Sequence, residues 1–142
     1  MHSVFVFGTL KQGFPNSSTN KGSRVAGGFI TVNRYPLYLV GERCSPWLVL
    51  SEGEGLQVRG QVFTVDEATL GEMDRLERVH KTDGYRRVQV QVFSESTNEE
   101  MKVFVYVKPP QQLEGMLVQL GPIAEYELEH ASLYQKRNLN LS

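Results

Sequence analysis

The chain has one cysteine, Cys44, in 142 residues, so no internal disulfide framework holds it together and its stability has to come from a packed core. Three histidines, His2, His80 and His130, are scattered along the sequence, with no metal-ligand spacing among them or with Cys44. Basic and acidic residues nearly cancel, 15 against 16, and no basic stretch with interleaved aromatics is present, which argues against nucleic acid as a partner. Hydrophobic runs fall far short of a bilayer span. The N-terminus enters an apolar strand with neither the charged nor the apolar region of a secretory leader. There is no Pro/Gly/Ser linker and no internal repeat. Gly8 and Gly13 lack the lysine-serine pair of a phosphate loop, and no hydrolase elbow appears. These absences predict one domain over residues 1–142, cytoplasmic, monomeric and without an exposed apolar stripe, and working without metal or cofactor.

What is present is mostly β pattern. Residues 3–7 are nearly all apolar, which suits a central strand covered on both faces. Residues 11–18 are rich in turn formers and form a loop in which Pro15 opens a short helix. Segments 24–32 and 35–40 have β character, with Asn33-Arg34 as a two-residue turn. Segments 47–50 and 57–65 continue it, and Gly53 and Gly55 between them suggest a hairpin. Asp66 caps a helix that runs through about Val79, with Glu67 in its first turn. After the Asp83-Gly84 turn, Val88, Val90 and Val92 alternate with Gln89 and Gln91 in a half-buried strand, and 102–107 is its hairpin partner. From Pro109 the chain looks irregular, with one short helix near 114–120. Many strands around one helix, without βαβ alternation, argue for an α+β fold built on a mixed sheet or small barrel.

Few residues stand out chemically. Leu70, Met73 and Glu77 share one helix face. A carboxylate on an apolar face loses hydration, and its pKa then rises toward neutrality, which suits proton transfer. On spacing alone two readings stay open: Glu77 as a general base, or Glu77 at the rim or in an ion pair with Arg86 or Arg87. Gly8 and Thr9 at a strand end offer backbone donors for a carbonyl oxygen, or simply form a turn. Asp74 is expected to be solvated or paired with Arg75 or Arg78. Cys44 has no base beside it and is expected to be passive. Trp47 is read as a packing anchor that can also wall a pocket.

The run Val4-Phe5-Val6-Phe7-Gly8-Thr9-Leu10-Lys11-Gln12-Gly13 resembles the opening motif of the gamma-glutamylcyclotransferase-like family, with Phe7 where the family usually has tyrosine. Asp74-Arg75-Leu76-Glu77 resembles that family's "D-x-x-E" helix end. Residues 35–42, followed by Pro46-Trp47-Leu48, are similar to its gamma-glutamylaminecyclotransferase branch, and the tail Tyr134-Gln135-Lys136-Arg137-Asn138 is loosely similar. The resemblance implies a small mixed β-barrel with flanking helices. It implies a metal- and cofactor-independent enzyme whose small-molecule partner is a gamma-glutamylamine, cleaved to 5-oxoproline and a free amine. Glu77 would take the catalytic position, and Phe7, Gly8, Thr9 and Leu10 the substrate-binding loop. Alternatives on the same fold are a cyclotransferase for gamma-glutamyl amino acids and a non-catalytic binding module.

Overall fold

Strand β1 (His2–Val6) does not alternate because both of its faces are covered. Phe5 pairs in register with Val62 and points with it into one core, while Val4 pairs with Phe63 and belongs to a second core on the other side. The computed structural model describes residues 1–136. In it β1 lies between β6 (Arg59–Val65), antiparallel, and β8 (Glu100–Val107), parallel. From β8 the sheet continues through β7 (Arg86–Ser94) and β3 (Phe29–Thr31) to β6, which pairs back onto β1 and closes a five-stranded mixed barrel.

The barrel interior is filled by alternate residues of these strands, among them Phe5, Phe29, Val62, Val92, Val103 and Val105. The expected hairpin of β7 and β8 is present, in register from Arg86↔Val107 to Phe93↔Glu100. The expected continuous strand over 24–32 is instead two pieces, β2 (Ser23–Arg24) and β3, both paired with β6. Arg24 faces Phe63 and Phe29 faces Gly60, so the chain bulges between them.

A second, three-stranded sheet is built from β4 (Leu37–Val40), β5 (Ser45–Leu48) and β9 (Val118–Leu120), in the order β5-β4-β9. This corrects two expectations. Asn33-Arg34 is no hairpin turn, because the chain leaves the barrel there for the second sheet. The segments around Gly53 and Gly55 form no hairpin either, since β5 pairs with β4 while β6 pairs with barrel strands. The region 114–120, expected as a helix, carries β9, preceded by a 3-10 turn at Pro110–Leu113. Leu117, Val118 and Leu120 are exposed there, an apolar stretch contrary to the expectation of none.

Helix α1 (Glu67–Leu76) packs Leu70 and Met73 on the outward side of β1, β6 and β8, against Val4, Val6, Phe63 and Tyr106. Asp66 caps it as expected, accepting the Thr69 N–H at 2.8 Å. It stops three residues before the expected end because Arg78 takes a left-handed conformation, φ 55°. A short α2 (Leu128–Ala131), which no sequence pattern marked, follows. No helix among the described residues is long and apolar enough to cross a membrane.

Gly60 shows how tight the barrel seam is. A Cβ there would lie 2.5 Å from the Val6 carbonyl oxygen and 2.8 Å from the Phe5 ring. Gly60→Val is expected to lower stability by about 3 kcal/mol, the upper range for overpacking, read as a lower urea midpoint. An unchanged midpoint would show that the seam relaxes.

Candidate active site

Three segments meet around a cleft of about 1150 Å³. The continuation of β1 contributes Phe7, Gly8, Thr9 and Leu10, the β4–β5 turn and β5 contribute Arg43, Pro46 and Trp47, and the end of α1 with its following loop contributes Glu77, Gly84 and Tyr85. All five residues singled out by the sequence for site roles therefore line one cleft.

The loop after β1 is held by its carbonyls. Lys11 N–H donates to the Gly8 carbonyl at 3.1 Å and Asn16 N–H to that of Thr9 at 2.8 Å. Asn16 Nδ2 reaches Thr9 Oγ1 at 2.9 Å and Asn20 Nδ2 the Leu10 carbonyl at 3.2 Å. The N–H groups of Gly8, Thr9 and Leu10 donate to no protein group among the described residues, although all three residues are buried. Buried N–H groups are nearly always paired, so these form a ready set of donors for an acceptor entering the cleft. Phe7 packs its ring into the barrel core, so its own contribution to the cleft carries no hydroxyl.

Glu77 caps the end of α1, and its backbone is fixed at both ends: its N–H donates to the Met73 carbonyl at 2.9 Å and its carbonyl accepts from Tyr85 N–H at 3.0 Å. Its carboxylate has no hydrogen bond or ion pair among the described residues. The two arginines weighed as its partners are engaged elsewhere. Arg86 Nη1 donates to the carbonyls of Lys81, Gly84 and Tyr85 at 3.0–3.1 Å, tying down the loop after α1. Arg87 pairs with Asp74 at 3.1 Å. The expected pairing of Asp74 with Arg75 or Arg78 is corrected as well, because Asp74 also accepts the Tyr106 hydroxyl at 2.7 Å, and Arg78 pairs with Asp83 at 3.0 Å. Loss of water pushes the Glu77 carboxyl up to about 7, against the opposing pull of Lys108 and Arg43.

Gly84 is a position in this region where glycine is required. A Cβ on Gly84 would lie 1.7 Å from the Arg78 carbonyl oxygen, so only glycine lets the loop fold back against the left-handed Arg78 and hold the end of α1 in place.

Lys108 is a cleft residue that no sequence signal marked. It sits just past β8, is 4% exposed, and is fixed by strand-like backbone bonds to Leu48 and Leu50. Its Nζ lies 4.3 Å from the Trp47 ring centre and 4.5 Å from that of Tyr85, and donates to the Asp83 carbonyl at 2.6 Å and Gln112 Oε1 at 3.0 Å. Burial brings its pKa down to about 8, with Asp83 and Glu77 opposing. Trp47 is thus both packing anchor and cleft wall, and Tyr85 is locked to the same wall by its hydroxyl bond to the Pro46 carbonyl at 2.8 Å. Cys44, φ 51°, packs against the barrel core and is not part of the cleft lining.

Tyr134 and Lys136 of the C-terminal segment reach the cleft, while Arg137 and Asn138 of the tail motif lie outside the described residues. Among the described residues, Glu127, Glu129 and His130 group potential ligand atoms within 4.8 Å of one another, away from the cleft lining. His130 Nδ1 there accepts the Glu127 N–H as part of the α2 cap.

A family model described as gamma-glutamyl cyclotransferase, AIG2-like, matches residues 4–122. Gamma-glutamylaminecyclotransferase B of Danio rerio is 36% identical over 116 residues, covering 76% of this chain and 60% of that protein. Against that relative the chain spans less than two thirds of the length. Gamma-glutamylaminecyclotransferase of Mus musculus is 29% identical over 146 residues, covering 96% of this chain and 98% of that protein. A crystal structure of an AIG2-like protein from Mus musculus superposes with a TM-score of 0.77 at 28% identity, covering 97% of this chain and 96% of that one.

The Glu77 carboxyl binds its proton more tightly in the folded state, rising from the ordinary 4.5 to about 7. Its contribution to stability is therefore complete below about pH 4.5 and is lost as pH rises through about 7. Glu77→Gln removes that loss. The variant is expected to gain melting temperature relative to the native chain between pH 5 and pH 8; a constant difference across that range would place the carboxyl in a solvated environment.

Proposed function

The chain belongs to the gamma-glutamyl cyclotransferase, AIG2-like family, and from that premise we propose that it cleaves gamma-glutamylamines, such as gamma-glutamyl-epsilon-lysine, to 5-oxoproline and the free amine. The observation that carries this reading is an unpaired carboxyl, Glu77, facing the same cleft as a loop with three unpaired N–H donors among the described residues.

The substrate supplies its own nucleophile. Near neutral pH its alpha-amino group is mostly protonated and cannot attack until a base takes a proton. A carboxyl that titrates near 7 is populated as the base at that pH and, once protonated, serves as an acid. The amine lone pair then attacks the gamma-carbonyl carbon. A C–N bond forms within a five-membered ring, and the carbonyl oxygen becomes an oxyanion held by the N–H groups of Gly8, Thr9 and Leu10. When the oxyanion collapses, the bond to the amine portion breaks and the departing nitrogen takes the proton from Glu77; the ring nitrogen gives its remaining extra proton to that amine, which leaves as an ammonium. The lactam and the released amine together contain every atom of the substrate, so neither water nor a covalent enzyme intermediate enters.

Proximity supplies much of the rate. Folding the glutamyl chain against the loop brings nucleophile and carbonyl together in one molecule. Backbone donors suffice for this, which fits Phe7 in place of a tyrosine: the loop offers amides, not a side-chain hydroxyl.

Purified protein incubated with gamma-glutamyl-epsilon-lysine is expected to release lysine and 5-oxoproline in equal amounts. Glu77→Gln is expected to lower kcat by about 10³-fold, within the range for a general acid–base group. Glutamate in place of 5-oxoproline would indicate hydrolysis, and binding without turnover would indicate a non-catalytic module.

A further inference from the structure

The charge of the cleft differs from that of the chain. Acidic residues outnumber basic ones by one overall, yet among the described residues the cleft lining has six Lys and Arg against three Asp and Glu. Two of the six are occupied: Arg78 by Asp83, and Lys108 by the Asp83 carbonyl and Gln112. Arg43, Arg75 and Lys81 form no ion pair among the described residues. Arg43 comes from the β4–β5 turn, where Gln135 N–H holds its carbonyl at 3.0 Å. Lys81 comes from the loop after α1, its backbone held by Arg86.

A glutamyl head has one alpha-carboxylate and needs one cation or a set of N–H donors. More cationic groups are present than that head requires. The cleft, at about 1150 Å³, also exceeds the ~300–1,000 Å³ usual for small-ligand pockets and leaves room for the amine portion beyond the scissile bond. A cleft with an excess of one sign raises the local concentration of ligands of the opposite sign and disfavours like charge.

We propose that this cleft selects gamma-glutamyl substrates whose amine portion ends in a carboxylate, and that Arg43 and Lys81 are specificity-determining residues that hold that second carboxylate. This rests on the cyclotransferase reading and narrows it. Polyamine-type gamma-glutamyl compounds, which present a cation at the same place, are poor substrates, and uncharged alkylamines fall between.

The test is kcat/KM for three gamma-glutamyl amides of similar length, made from 6-aminohexanoate, hexylamine and 1,6-diaminohexane. Their free ends carry negative, zero and positive charge. The expected order is carboxylate, neutral, cation, with about tenfold or more between the extremes at low salt, in the range that steering fields produce. The spread should shrink at about 0.5 M salt through screening. Arg43→Glu and Lys81→Glu are each expected to cut the carboxylate-to-cation ratio by about tenfold, the scale of the same steering effect. Any change in the base cancels in that ratio, because all three substrates use Glu77. Lys81 is exposed, so its variant reads specificity even if the Arg43 substitution unfolds the chain. Equal turnover of the three amides, or an unchanged ratio in folded variants, overturns the inference and leaves cyclotransfer standing. Absence of turnover with all three overturns both.

Discussion

Burial of β1 on both faces is the constraint on which the other features depend. One face closes the barrel through Phe5, and the other receives α1 through Val4 and Val6. A strand held this way cannot shift register by one residue without exchanging its two cores. The position where it ends is therefore fixed, and so is the start of the loop of Phe7, Gly8, Thr9 and Leu10 that leaves it. The helix that packs on the outer face of β1 ends at Glu77, so loop and carboxyl come to the same cleft from neighbouring elements. That one packing arrangement sets their mutual position, although Leu10 and Glu77 are far apart in sequence.

The second determinant is the abrupt end of α1. Arg78 turns left-handed, Gly84 allows the loop to pass close against it, and Arg86 binds the loop carbonyls. The backbone around Glu77 is thereby tied down by hydrogen bonds while its side chain is left without a partner among the described residues. This separation lets a carboxyl be both rigidly placed and available for proton transfer. Lys108, caged between Trp47 and Tyr85, joins the second sheet to the same loop and supplies a nearby positive charge that limits how far burial raises the Glu77 pKa.

Much of this was legible in the sequence. The unbroken apolar run of β1, the Asp66 cap and the alternation of Val88, Val90 and Val92 each reflect a local rule, and each holds in the fold. The face shared by Leu70, Met73 and Glu77 is also local, a consequence of helical spacing. Strand pairing read from turn residues held for the β7–β8 hairpin and failed around Asn33-Arg34 and around Gly53 and Gly55. The segments flanking Gly53 and Gly55 have good strand character, but a glycine-bearing turn does not reveal that its two arms belong to different sheets. Asp74 failed for a similar reason: its partners, Arg87 and Tyr106, come from strands distant in sequence.

By itself, then, the sequence determined the local elements, the absence of a disulfide framework, and a motif-bearing loop and helix end that resemble one family. Those properties depend on neighbours within a few residues or on the residue types present. Only the tertiary structure decided that the barrel closes between β1 and β6, that Arg86 and Arg87 are engaged away from Glu77, and that Lys108 and Arg43 act on its charge. Burial and charge proximity arise from contacts between distant segments, and periodicity along one segment carries no information about them.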